Sequence, residues 1–193
     1  MQAMDVSVSR LEGVVISHDH WDHTGGLEEI LWKNRGISVY GCPGFSEEFS
    51  RKVEDLGGQL MVSKGFSGIT DNIFVTGPMR GIHGEQEIEE QSLVLNTSKG
   101  VAVITGCAHP GIANITEEAK KRSAGKELYC VIGGFHLSGQ KEKDVMRVVA
   151  RMRDLGVRKI GPAHCTGKEA AGIFKKAFRD DFIPVAAGEQ WEV

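Results

Sequence analysis

Three histidines and two aspartates fall within six residues, His18-Asp19-His20-Trp21-Asp22-His23, a density that points to metal binding. Residues two apart on an extended chain project to the same side, so His18 and His20 can ligate one ion as a strand ends. A turn after them would swing Asp22 and His23 toward a neighbouring position. Imidazole with carboxylate suits Zn(II), Fe or Mn, whereas an all-oxygen calcium site would not use histidine. The bland alternative is a solvated polar loop. It is disfavoured because the segment directly follows the apolar run Val14-Val15-Ile16 and precedes Thr24-Gly25-Gly26. Asp19 is expected to face away from the ions and orient a ligand from behind. Trp21 is expected to wall a pocket or fill the core.

Two further histidines read as ligands: His109 in Thr105-Gly106-Cys107-Ala108-His109-Pro110-Gly111, and His164 in Gly161-Pro162-Ala163-His164-Cys165-Thr166-Gly167. A lone histidine after a strand is more often structural, but the first motif and the flanking glycines shift that balance. His136, in Gly133-Gly134-Phe135-His136-Leu137, is open between ligand, substrate contact and proton carrier. His83 reads as a surface or substrate-side residue. A thiolate is a good zinc ligand, yet a buried cysteine is also a small apolar residue; Cys107 is read as packing, and Cys165 as support behind the ligands. Glycine is abundant, with 25 residues, several beside these histidines. Glycine serves where backbone turns sharply or approaches something closely, and here the thing approached is expected to be the metal site.

The elements that must position these residues follow from pattern. Val14–Ser17 reads as a buried strand, with a helix opening at Thr24-Gly25-Gly26, running through Leu27, Ile30 and Leu31, and ending near Gly36. Ile37–Tyr40 is a strand, Phe45–Leu56 a helix, and Gln59–Val62 and Ile73–Thr76 are short strands. Gly77–Glu90 has no clear periodicity and reads as an extended loop carrying His83. Ser92–Asn96 and Val101–Thr105 form a hairpin. Asn114 is expected to cap a helix over 115–123, and Thr166 a helix from Lys168 to Phe178. Between these, Leu128–Ile132 is a strand, 142–155 a helix and Lys159-Ile160 a strand, with Ile183–Ala187 as a last strand. Strand and helix alternate in the second half, which argues an α/β fold with part of its sheet parallel. His18/His20, His109, His136 and His164 all stand at C-terminal ends of expected strands, where open α/β sheets place their ligand sites.

The 193 residues are expected to form one domain, 1–193, with an ordinary balance of 40% apolar and 25% charged residues. The net charge is -3 with no basic stripe, so a nucleic-acid partner is not favoured. A small-molecule substrate is expected, and it can bear phosphate, because a metal centre supplies its own positive charge. Apolar runs fall far short of the ~20 residues that span a bilayer, so no membrane association is expected. Met1-Gln2-Ala3-Met4-Asp5 lacks the basic-then-apolar pattern of a signal peptide. Four dispersed cysteines, Cys42, Cys107, Cys130 and Cys165, read as reduced thiols, and a cytoplasmic location is expected.

The run Ser17-His18-Asp19-His20-Trp21-Asp22-His23-Thr24-Gly25-Gly26-Leu27 resembles the H-x-H-x-D-H signature of the metallo-β-lactamase fold superfamily. With the Gly106–Gly111, Gly133–Leu137 and Pro162–Gly167 motifs in order, the chain is similar to one subfamily. That subfamily is the dihydropterin-ribofuranosylaminobenzene-phosphate-synthase-like metal-dependent hydrolases. The resemblance implies an αβ/βα sandwich with two divalent ions at one sheet edge. It assigns His18, His20 and His109 to the first ion and Asp22, His23 and His164 to the second, with a bridging water as nucleophile. Two departures stand out. Many members carry a Gly-Asp pair whose carboxylate bridges the ions, where this chain has Gly106-Cys107. Members also carry about 60 residues ahead of the signature; this chain is thus expected to be either a fragment or an N-terminally shortened protein that covers an exposed sheet edge by homo-oligomerising.

The function expected on these grounds is hydrolysis of an ester-type bond, a phosphoester or phosphodiester before a lactone or thioester. Asp22 would hold its ion and orient the nucleophile, and His136 would act as general acid or substrate contact. The subfamily implies a rival: a transferase condensing a dihydropterin diphosphate with ribofuranosylaminobenzene phosphate in methanopterin synthesis. A third reading is a non-catalytic metal-binding protein.

Overall fold

The β-branched and apolar runs do become strands, though Val14 and Val15 are only half-buried and β3 is mostly exposed, and they sort into two main sheets with separate cores. The computed structural model describes residues 7–192; the opening segment Met1–Asp5 lies outside them. The first sheet is parallel throughout, in the order β1 (Gly13–Val15), β2 (Ser38–Gly41), β3 (Gln59–Val62). Its crossovers contain α1 (Trp21–Thr24), α2 (Leu27–Lys33) and α3 (Glu47–Asp55). Leu27, Leu31, Phe49 and Val53 of the last two helices bury against Ile16, Ile37 and Val39. Complete burial of a side chain such as Leu31 stabilises by roughly 1.5–3 kcal/mol. Ser46 caps α3 by accepting a hydrogen bond from the Phe49 amide at 3.2 Å, a contribution of about 1 kcal/mol.

The second sheet has the order β11-β10-β9-β8-β5-β4. Its members are β4 (Ser67–Gly68), β5 (Ile73–Val75), β8 (Leu93–Thr97), β9 (Gly100–Thr105), β10 (Leu128–Gly134) and β11 (Lys159–Ala163). The last three are parallel, and the rest pair antiparallel. The α4 (Ile112–Arg122) and α5 (Glu142–Asp154) crossovers and α6 (Lys168–Phe178) cover one face, packing Ile115, Val149, Met152 and Phe174 onto Val101, Val103, Val131 and Ile160. The expected mixed α/β architecture with a partly parallel sheet is therefore present. Among the described residues no helix is long and apolar enough to cross a membrane.

Several local expectations are corrected. Gly77–Glu90 is not a loop: β6 (Met79–His83) and β7 (Gln86–Glu90) form an antiparallel hairpin with His83 opposite Gln86. Its residues are mostly exposed, so neither face carried an apolar alternation to read. The expected last strand Ile183–Ala187 reduces to one hydrogen bond, from the Ile183 amide to the Ile160 carbonyl, beside a bridge between Ile160 and Phe182. Pro184 follows at once and has no amide to extend that ladder. The caps also differ. Gly111 and Gly167, with φ of 91° and 80°, start α4 and α6. Asn114 instead donates to the Pro110 carbonyl, and the Thr166 hydroxyl donates to Ala163 while accepting from the Phe135 amide.

Candidate metal centre

The ends of β1, β9, β10 and β11 come together, and each delivers a histidine. After β1 the chain bends at Ser17 and His18, and His20 caps the single turn of α1. That turn is closed by hydrogen bonds from the His23 and Thr24 amides to the His20 carbonyl. His18 and His20 lie with ring centroids 4.6 Å apart, brought together by these bends and not by strand alternation, and His109 sits 4.8 Å from His18 and 5.3 Å from His20. One nitrogen from each of the three falls within 4.8 Å of the others.

His109 is held by a residue that the sequence reading missed. Glu90, at the end of β7 and 1% exposed, accepts hydrogen bonds from the backbone amides of Cys107, Ala108 and His109 at 2.7–2.9 Å. Its Oε2 also lies 2.9 Å from His109 Nδ1. Burial alone would raise the Glu90 pKa; the His109 side chain and the three amides outweigh it and hold the carboxyl near 2. An ionised Glu90 accepts a hydrogen bond from His109 Nδ1–H and so leaves the Nε2 lone pair free, the usual tautomer for a metal-binding imidazole backed by a carboxylate. Glu90 stands in Glu87-Ile88-Glu89-Glu90-Gln91, which reads as a solvated acidic run. Its partner is 19 residues away, so no local spacing reveals the pair.

The second group is Asp22, His23 and His164. His164 follows β11 with a left-handed φ of 48°, which turns its ring toward α1. His23 Nε2 lies 3.2 Å from His164 Nε2 and 3.5 Å from Asp22 Oδ2, and the latter is 3.4 Å from His164 Nε2. Burial works against an ionised Asp22, but His23 and the local backbone hold its carboxyl below the ordinary range. The two groups share a wall, with the His18 and His23 rings 4.2 Å apart.

His136 also has a left-handed φ, 52°, and its ring centroid is 4.3 Å from that of His109. His83, exposed near the hairpin turn, comes 4.7 Å from His20 and 6.0 Å from His136. The glycines let strand ends close around the site: a Cβ on Gly106 would lie 2.1 Å from Ser17 Oγ and 3.4 Å from His23 Cε1, and one on Gly134 2.2 Å from the Gly106 carbonyl oxygen. Asp19 orients no histidine; it accepts the Ser46 amide at 2.8 Å and so ties the start of α3 to the signature turn. Trp21 is 83% exposed and belongs to no core.

The donor set fits a cation. His18 is 1% exposed, its Nδ1 lies 3.0 Å from Ser17 Oγ, and its Nε2 has no hydrogen-bond partner. A buried unpartnered nitrogen costs about 1–3 kcal/mol, a cost that coordination removes. Zinc–nitrogen bonds of about 2.0–2.1 Å set tetrahedral edges near ~3.3 Å, close to the separations within the Asp22, His23 and His164 group.

Burial drives the His18 pKa from its ordinary 6.5 down to about 3, and Glu90 falls from 4.5 to about 2. Below about pH 6.5 the unfolded chain binds a proton that folded His18 refuses, so stability declines from there toward pH 3. The Glu90 contribution is complete above 4.5 and is lost as pH falls toward 2. Metal-free protein in chelator is thus expected to lose about 2 kcal/mol from His18 alone at pH 5, roughly 4–8 °C in melting temperature. Equal melting temperatures at pH 7.5 and pH 5 would contradict the buried neutral imidazole.

Comparison with known proteins gives the family and the fold. A family model described as the metallo-beta-lactamase superfamily matches residues 1–121, a span from the signature through His109 that ends before His136 and His164. The chain is 28% identical over 231 residues to the 7,8-dihydropterin-6-methyl-4-(beta-D-ribofuranosyl)-aminobenzene-5'-phosphate synthase of Methanocaldococcus jannaschii, across 98% of this chain and 78% of that protein. An uncharacterized protein of the same organism is 29% identical over 188 residues, covering 81% and 70% of the two chains. The structure is similar to that of a metal-dependent hydrolase of the beta-lactamase superfamily, with TM-score 0.82 and 27% identity over 100% of this chain and 82% of the other. An isothiocyanate hydrolase from Delia radicum gut bacteria shares the fold, with TM-score 0.62 and 14% identity over 96% and 78% of the chains.

Proposed function

The chain belongs to the metallo-beta-lactamase superfamily, and from that premise we propose that it is a two-metal hydrolase of an ester-type bond, a phosphoester or phosphodiester before a lactone or thioester. The observation that carries this reading is the convergence of two three-donor groups, one from His18, His20 and His109 and one from Asp22, His23 and His164, that share a wall. Two divalent ions bound there, zinc before iron or manganese, would polarise the scissile bond and supply hydroxide at neutral pH.

The chain's own residues then have distinct tasks. Glu90 holds His109 in one tautomer and one orientation. Asp22 supplies the carboxylate of the second group and orients the nucleophile. His136, beside the His109 ring, is placed to give a proton to the leaving oxygen, a role worth about 10²–10⁴-fold in rate. His83, carried on an exposed hairpin, contacts the substrate. A small phosphate-bearing substrate suits a site bordered by the imidazoles of His20, His83 and His136, of which His83 is exposed.

A panel of p-nitrophenyl phosphate, bis-p-nitrophenyl phosphate and simple lactones tests the reading. Turnover of a phosphate ester, lost on complete chelation and restored by zinc, is the expected result. Activity that survives demetallation would end it. Two ions bound with no turnover of any substrate would favour the non-catalytic reading. The likeness to the synthase along nearly the whole chain favours a second enzymatic reading, the condensation of a dihydropterin diphosphate with ribofuranosylaminobenzene phosphate. Incubation with both substrates separates the two: a coupled product supports the transferase, and simple hydrolysis the hydrolase.

A further inference from the structure

Cys107 and Cys165, read from the sequence as a packing residue and a support, lie side by side although 58 residues separate them. Cys107 follows β9 and is buried, and Cys165 lies in the turn after β11 and is half-buried. Their two sulfurs and a ring nitrogen of His164 fall within 4.8 Å of one another. The Cys165 thiol donates to the Cys107 carbonyl at 3.4 Å. Gly134, the last residue of β10, makes this approach possible. A Cβ there would lie 2.8 Å from Cys165 Sγ and 3.1 Å from Cys107 Cα, so a larger residue would wedge the pair apart. Both cysteines are reduced in the structure. The other two thiols differ in setting: Cys42 is 3% exposed, and Cys130 is wholly buried in β10 among Ala102, Ile183 and other apolar side chains.

A disulfide needs its sulfurs about 2.0 Å apart. Turning a cysteine by one staggered rotamer moves its sulfur by about 3 Å, enough to close the remaining gap. The bond would tie two segments of the metal centre together. Cys107 stands two residues before His109, and Cys165 directly follows His164, whose left-handed φ of 48° aims its ring at His23. Drawing Cys165 toward Cys107 therefore acts on the backbone that sets His164.

We propose that Cys107 and Cys165 are a reversible thiol–disulfide pair, a modification site whose oxidised form disables the second metal group. The oxidant is a small-molecule disulfide such as oxidised glutathione. The more accessible Cys165, as its thiolate, attacks one sulfur of the reagent and expels one reduced thiol. The Cys107 thiolate then attacks the Cys165 sulfur of that mixed disulfide and expels the second. Two protein thiols lose two electrons and two protons, and the reagent gains both. The bond itself needs no metal; its effect on Asp22, His23 and His164 rests on the two-metal reading.

Oxidation of the metal-free full chain, held in chelator and treated with oxidised glutathione, tests the pair. Thiols titrated after unfolding are expected to fall from four to two. Peptide mapping should join Cys107 to Cys165, leave Cys42 and Cys130 free, and show the join undone by reduced glutathione. Four thiols after treatment, a stable glutathione adduct on Cys165, or bonds to Cys42 or Cys130 instead would each overturn the proposal. Zinc titration then compares the two forms. Reduced protein is expected to take two ions, and oxidised protein to hold the second at least about tenfold more weakly. Equal zinc binding by both forms would overturn the claim that the bond disables the group. Fewer than two ions in the reduced protein would instead overturn the two-metal reading, while the peptide map still judges the disulfide.

Discussion

Replacing His109 by alanine is expected to leave one tightly bound ion in place of two and to cut turnover at least about a thousandfold. The variant removes the donor that completes the group with His18 and His20, and neither of those can compensate. His18 and His20 are already members of the same group, with rings 4.6 Å apart, and His18 is buried with its Nε2 unpartnered. Glu90 would keep its bonds to the Cys107, Ala108 and His109 amides, so the fold should survive and the loss is local. His83→Ala is the comparison variant, since His83 is exposed on a hairpin and stands outside both proposed groups, although its ring also comes within donor range of His109 and His136. It should retain two ions and change substrate affinity before metal content. Metal analysis and turnover on both variants check this; a His109→Ala protein with two tight ions and full activity would contradict the assignment.

Glu90→Gln is expected to act on the fold as well as on the site. The carboxylate accepts from four donors, three backbone amides and His109 Nδ1. Glutamine has the same size but a single acceptor oxygen, and its amino group would face donors. Hydrogen bonds to a buried charged group are worth about 1.5–3 kcal/mol each when lost without replacement, though shared losses do not add fully. A net loss of about 3–5 kcal/mol is expected, or roughly 6–20 °C in melting temperature. Metal affinity should fall about 10–100-fold, because His109 is no longer held in one tautomer. Thermal melts with chelator present isolate the first effect, and zinc competition titration the second. A variant that melts with wild type and binds zinc equally well would remove Glu90 from the account.

The contrast between His109 and Glu90 shows where the sequence was legible. Ligand types announce themselves when they are dense and local: His18, His20, Asp22 and His23 span six residues, and each later histidine follows an apolar strand with glycines beside it. Those strands were readable because Val101, Val103, Val131 and Ile160 are buried in the core. The support around the ligands was not readable. Glu90 pairs across 19 residues, and Asp19 finds its partner at Ser46, 27 residues on. The β6–β7 hairpin lacked a signal for a related reason: it is short and exposed, and Gly81 lies so close to His109 that a Cβ would meet its backbone at 2.5 Å. The two cap errors share one cause. Gly111 and Gly167 adopt left-handed conformations that place them at the helix starts, which frees Asn114 and Thr166 for other bonds. Cys107 was ambiguous in type, since sulfur serves a core and a metal equally well; it is buried, with its sulfur 3.3 Å from His23 Nε2.

The central claim is that imidazoles from three strand ends, those of β1, β9 and β11, and the Asp22 carboxylate enclose two cations. Crystals of zinc-loaded protein, with diffraction recorded on both sides of the zinc absorption edge, address it most directly. Two anomalous peaks per chain, about 3.5–4 Å apart, are expected. One should lie among His18, His20 and His109, and the other among Asp22, His23 and His164, each at bonding distance from its nitrogens. Peaks elsewhere on the chain, or none at either position in zinc-saturated crystals, would contradict it.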